Sequence, residues 1–194
     1  MSSYTSYIWA YLGSAIGNDI GTSALMGNLQ AESGMIPYRK QGDFSSGYTA
    51  SITYTNKVNS GQITEYQFVH DSIGYGLAQW TYYTRKQKLY DKWQNDGYSS
   101  IGDVDLACAY LIEELQNDYP TVWNALVTAT DLHTASDIVL VDFENPADQS
   151  QAVKDYRASL GQAIYDEYAG GTPPTPPTPP GPPSPPTTLE IPVW

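Results

Sequence analysis

From Gly170 the chain reads GGTPPTPPTPPGPPSPPTT, a Thr-Pro-Pro repeat that can neither donate the ladder hydrogen bonds of a sheet nor continue a helix. Whatever folds must fold before it. The repeat predicts a polyproline II spacer, semi-rigid at about 3.1 Å per residue and so roughly 50 Å long. Residues 1–170 are assigned to one folded domain, 171–188 to a Thr/Pro-rich linker, and 189–194, LEIPVW, to the start of a further module or the chain end. A hydrophobic content of 41% in 194 residues fills one core of ordinary size and not two.

Charge narrows the partners. The formal net charge is −12 with only nine lysines and arginines, which would repel a phosphate backbone, so nucleic acid is not an expected partner. The single cysteine, Cys108, cannot form an internal disulfide, and nothing near the start joins a basic segment to an apolar one and a small-residue cleavage site. No apolar run approaches the roughly 20 residues of a membrane span. The reading is therefore a protein made in the cytoplasm without a signal peptide and with no membrane partner. His70 and His133, the only histidines, stand in no metal-ligand spacing, so neither metal nor cofactor is expected. Cys108 sits on the apolar stripe of DLACAYLI, where a thiol is unreactive.

Helical periodicity dominates the domain. Tyr4, Ile8, Tyr11, Leu12 and Ala15 mark a first helix ending near Gly17, and Asp19 or Thr22 opens a second that runs to Glu32, with Gly34 as its left-handed stop. Thr84 and Gln87 form a capping-box pattern before RKQKLYDKWQND, which Gly97 closes. Asp103 caps VDLACAYLIEELQNDY. Two further helices follow over TASDIVLVDF and SQAVKDYRASLGQAIYDEY, the last presenting Val153, Tyr156, Leu160 and Ile164 on one side. Between Pro37 and Trp80, where YTASITYTNKV fits helix or strand equally, loops, short helices and a small sheet are expected.

Glu32 stands out in this pattern. A carboxylate in the last turn of a helix meets the negative end of the macrodipole, and a neighbouring core would add desolvation. Both favour a retained proton, and a protonated carboxyl is what general acid catalysis needs.

Three segments in register carry a resemblance. LMGNLQAESGMIP resembles the helix-terminal glutamate segment of lysozyme-like muramidases and lytic transglycosylases. FVHDSIGYGLAQWTYYTRKQKLYD and FENPADQSQAVKDYRASLGQAIYDEY resemble the companion and closing segments of the phage-type lysozyme family, found in endolysins and tail-associated wall hydrolases. The likeness covers nearly all of residues 4 to 168. It implies a mainly α, lysozyme-like α+β fold, a helical domain whose loop-rich or small-sheet insertion lines a cleft.

The function implied is cleavage of the bond between N-acetylmuramic acid and N-acetylglucosamine in bacterial peptidoglycan, with Glu32 as proton donor and Ser33 as its support. The Gly74–Trp80 stretch would form the opposite wall, Tyr75, Gln79 and Trp80 contacting sugar, with Tyr82 and Tyr83 as further stacking rings. Glycoside hydrolysis commonly uses a second carboxyl; Asp71, just before that wall, and Asp43, in a flexible QGDF loop, are the candidates. Glu144 and Asp148 in FENPADQ read instead as a turn leading into the last helix. Lytic transglycosylases manage without a second acid, so that product and a glucosaminidase product stay open. A non-catalytic module of the same fold that binds peptidoglycan is the alternative from a different class. Release through a holin or delivery on a virion tail would bring the protein to the wall, and a wall-binding module beyond the linker would supply the affinity that an acidic domain lacks.

Overall fold

Among residues 4–170, which the computed structural model describes, nine α-helices follow one another: α1 Thr5–Ile16, α2 Asp19–Ser33, α3 Thr49–Asn59, α4 Glu65–His70, α5 Tyr83–Asp96, α6 Val104–Asn117, α7 Pro120–Val127, α8 Leu132–Ile138 and α9 Gln151–Tyr168. A π-helical stretch, Val139–Glu144, joins α8 to the loop before α9. The linker and the LEIPVW segment lie outside the described residues.

Helix α2 is the axis of the domain. It is buried without a break from Gly21 to Leu29, because α1, α7, α8, α9 and the π stretch all pack around it. Its most extensive packing is against α9. A Cβ added to Gly27 would lie 2.5 Å from the backbone nitrogen of Gly161 and 2.6 Å from the carbonyl oxygen of Arg157, so only glycine lets the two backbones approach this far. That approach decides which face of α9 is buried. Arg157, Ala158, Gly161 and Ile164 face inward, while Tyr156, expected on the buried side, is 57% exposed.

The ends of the helices follow local chemistry in part. Gly17, Gly34 and Gly97 stop α1, α2 and α5 in left-handed conformation, and Asp103 caps α6 through the N–H of Asp105. Asn18, not Asp19 or Thr22, caps α2 by accepting from Gly21. The capping box belongs to α4, through Thr64 and Gln67; α5 starts one residue ahead of Thr84 with no side-chain cap. Asp131 caps α8.

The expected small sheet is absent among the described residues. The segment from Pro37 to Trp80 holds α3, α4 and two isolated antiparallel bridges, Lys40 to Tyr75 and Tyr75 to Trp80. Its loops are nevertheless pinned. Gln41 N–H donates to Gly74 O at 2.8 Å, Gly76 N–H to Arg39 O at 2.9 Å, and Gly74 N–H to the Gln41 side chain at 2.9 Å. Residues 39–41 are thus fastened edge-on to 74–76, and the pair forms one wall of a groove.

Candidate active site

Glu32 closes the last turn of α2 and opens onto a groove of about 480 Å³. The opposite wall comes from Gly74, Ala78, Gln79, Thr81 and Tyr82, with Arg39, Gln41, Gly42 and Phe44 on one flank and Arg85, Glu144 and Pro146 on the other. The end of α2 and the turn thus face each other across it.

The wall is a tight turn. Tyr75 and Trp80 exchange backbone hydrogen bonds at 3.1 and 2.9 Å, and a Cβ on Gly76 would come within 2.7 Å of the Trp80 ring. Gln79, with φ of +47°, folds its side-chain amide back to donate to Arg39 O at 3.1 Å and Gly76 O at 3.0 Å. Both donors of that amide are committed, leaving only its carbonyl oxygen for a ligand.

Several residues expected to touch sugar do not reach the groove. Trp80 is fully buried, its indole N–H donating to Glu114 at 2.8 Å and its ring packed on Tyr110. Tyr75 is equally buried, its hydroxyl 2.7 Å from that of Thr55. Ser33 turns its hydroxyl back onto Leu29 O at 3.0 Å. An aromatic beside a turn is as useful to a core as to a ligand, and here the core took both rings. The rings that border the groove are exposed ones, Phe44 at 90% and Tyr82 at 62%. Tyr83 packs against Tyr82 and His70 beside it.

Neither Asp71 nor Asp43 lines this groove. Asp71 accepts from Tyr54 OH, from the buried Lys86 ammonium at 2.5 Å and from Ile73 N–H at 2.9 Å. Asp43 is buried and accepts from the hydroxyl and backbone N–H of both Ser45 and Ser51, at 2.6 to 3.1 Å. Burial opposes its ionisation, but those four donors outweigh it and hold the carboxyl well below the usual carboxylate range. Each aspartate ties a loop to a helix, Asp71 to α5 and Asp43 to α3.

What the groove does bring together is a set of charges remote in sequence. Arg157 of α9 donates to Glu32 through one guanidinium nitrogen and to Asn28 at 3.3 Å through another. Arg85 of α5 forms a two-pronged pair with Glu114 of α6, at 2.6 and 2.9 Å, and lies over the Phe143 ring at 4.7 Å. Glu144, at the end of the π stretch, lines the groove with Glu32. The residue is half-buried, but its Oε1 is closed off from solvent without a hydrogen-bond partner. Burial around Glu144 opposes its ionisation. Asp148 is the turn residue it was read as, accepting from Ser150 N–H at 2.9 Å. Nothing in FENPADQ marks Glu144 as different, since its neighbours in space come from α2, α5 and α9.

Cys108 is fully buried, and burial pushes its thiol far up, which removes it as a nucleophile. Among the described residues no group of three or more histidines, cysteines, aspartates and glutamates is placed to hold a metal ion.

A family model described as phage tail lysozyme matches residues 4–168. No curated protein and no solved structure matches the chain. The match runs through α2 with Glu32, through the turn that faces it and through the helix that carries Arg157, and on that span the chain belongs to the phage tail lysozyme family.

Proposed function

We propose that the protein is a glycosidase of the muramidase type, cleaving between N-acetylmuramic acid and N-acetylglucosamine in peptidoglycan with Glu32 as the acid. Family membership supports peptidoglycan as substrate and a phage setting. The observation that carries the reading is the position of Glu32 at the mouth of a groove whose far wall is the Gly74–Tyr82 turn. A glycan strand needs a long, open, partly polar channel with flat places to rest. Gly74 and Ala78 present a flat wall, Phe44 and Tyr82 offer exposed rings for stacking on sugar faces, and Gln41, Arg39 and the Gln79 carbonyl offer polar contacts to hydroxyl and N-acetyl groups.

In the reaction Glu32 gives a proton to the glycosidic oxygen as the bond from C1 to that oxygen breaks. Attack by water leaves a reducing muramic end; attack by the muramyl 6-hydroxyl leaves a 1,6-anhydro end. The test is digestion of purified walls by the protein and by Glu32→Gln, with mass spectrometry of the new ends. New muramic ends from the parent and none from the variant are expected. Undiminished cleavage by Glu32→Gln would reject the assignment, and intact walls that nonetheless retain the parent protein would point to a binding module.

A further inference from the structure

Glu32, Glu144 and Arg85 line one side of the groove with Arg157 and Glu114 packed behind them, while Arg39 on the far flank lies over the Tyr48 ring. Glu114 holds Arg85, and Glu32 holds Arg157. Glu144 remains, with an oxygen sealed from solvent and accepting from no donor. A negative charge left there would be costly, because a buried carboxylate oxygen needs donors. A neutral carboxyl carries a bare oxygen far more cheaply. Glu32 opens on the same groove, and its charge discourages ionisation of Glu144.

We infer that Glu32 and Glu144 act as one catalytic pair across the groove, with Glu144 as the second carboxyl of the reaction. This rests on the glycosidase reading above. The environment agrees with it. Burial first, and then the charge of Glu32, push the Glu144 carboxyl up to about 8, against the opposing pull of Arg85 and Arg157 and with a smaller push from Glu114. Those are the charged groups facing it from α2, α5, α9 and α6.

The proton cycle balances. Cleavage starts from the state in which the proton has moved to Glu32 and Glu144 is a carboxylate, its charge offset by Arg85 and Arg157. Glu32 protonates the leaving oxygen, C1 loses its bond to that oxygen, and the attacking hydroxyl bonds to C1 while passing its proton to Glu144. The pair ends with one proton, now on Glu144, and with Glu32 as a carboxylate beside Arg157. In the structure Glu32 accepts from Arg157, and Glu144 Oε1 meets no donor. Return of the proton from Glu144 to Glu32 resets the site.

The experiment measures the release of new ends from purified peptidoglycan across pH, for the full chain and its Glu144→Gln, Glu144→Ala, Glu144→Asp and Glu32→Gln variants, with thermal melting of each. Glu144→Gln should melt no lower than the parent and lose about 10²-fold in kcat with KM held. The alkaline limb of its pH profile should move to lower pH, because the carboxyl held near 8 is gone. Glu144→Asp, which keeps a carboxyl, should retain the limb near the parent's. Sodium azide should raise the rate of Glu144→Ala and yield a glycosyl azide, since azide attacks C1 without surrendering a proton. A parental rate in Glu144→Gln would overturn the pair. So would a lowered rate with an unmoved alkaline limb and no azide product, the pattern of a merely structural residue. Glu32→Gln separates the two levels. If it stays active the glycosidase reading itself fails; if it is dead while Glu144→Gln is fully active, only the pair fails.

Discussion

Two glutamates in this domain occupy nearly the same local setting and do opposite things. Glu32 lies in the last turn of α2 and Glu114 near the end of α6, and each is paired with an arginine from another helix. Both lie toward the negative end of a helix macrodipole. Yet Glu114 has a side chain with no exposure and accepts from Trp80, from two nitrogens of Arg85 and, at 3.2 Å, from Tyr110. Its acceptors are saturated and face no solvent. Glu32 keeps 20% of its side chain exposed beside the groove and accepts from Arg157. A saturated buried carboxylate fixes the fold, here by anchoring Trp80 beneath the groove wall; an unsaturated one at a surface keeps capacity for a ligand.

Changing the two residues should separate these roles. The largest effect is expected at Glu32, where Glu32→Gln should slow turbidity clearing of purified walls by at least about 10³-fold. Its amide oxygen still accepts from Arg157, so the cost in stability should stay near 1 kcal/mol, read by denaturant titration. Glu114→Ala should reverse the pattern. It strands the Arg85 charge and the Trp80 N–H, and a loss of about 3–5 kcal/mol is expected in the same titration.

A subtler separation uses pH. The Glu144 carboxyl is raised from an ordinary value of 4.5 to about 8, so the native state keeps a proton that the unfolded chain has released. Stability from this group is complete below about 4.5 and is lost as pH climbs through 8. Glu144→Gln should therefore match the parent in melts at pH 4 and exceed it at pH 9. Asp43 runs the other way, its depressed carboxyl contributing stability that disappears as pH falls. The smallest effect is expected at the rim, where Tyr82→Ala should lower kcat/KM on glycan about fivefold through lost stacking and leave the melt unchanged.

The legible part of this protein follows from interactions within one turn or one helix. Gly34 after Glu32, Asp103 before α6 and the apolar spacing of α1 and α6 could be read in place. The faces of α9 could not, because Gly27 and Gly161 contribute no hydrophobic signal, yet their contact is what turns Arg157 inward. Trp80 and Tyr75 stood next to the right turn but faced the core. Asp71 and Asp43, chosen for lying near the wall in sequence, are taken by local donors.

The sequence by itself determined a helical domain, a proline-rich segment after it and a glutamate at the end of the central helix, since periodicity, capping and proline chemistry act over a few residues. Only the tertiary structure decided that Glu32 meets Arg157 and shares its groove with Glu144. Burial and electrostatic coupling are properties of contacts between distant segments, and a carboxyl is the same group in the sequence whether its proton is held, shared or lost.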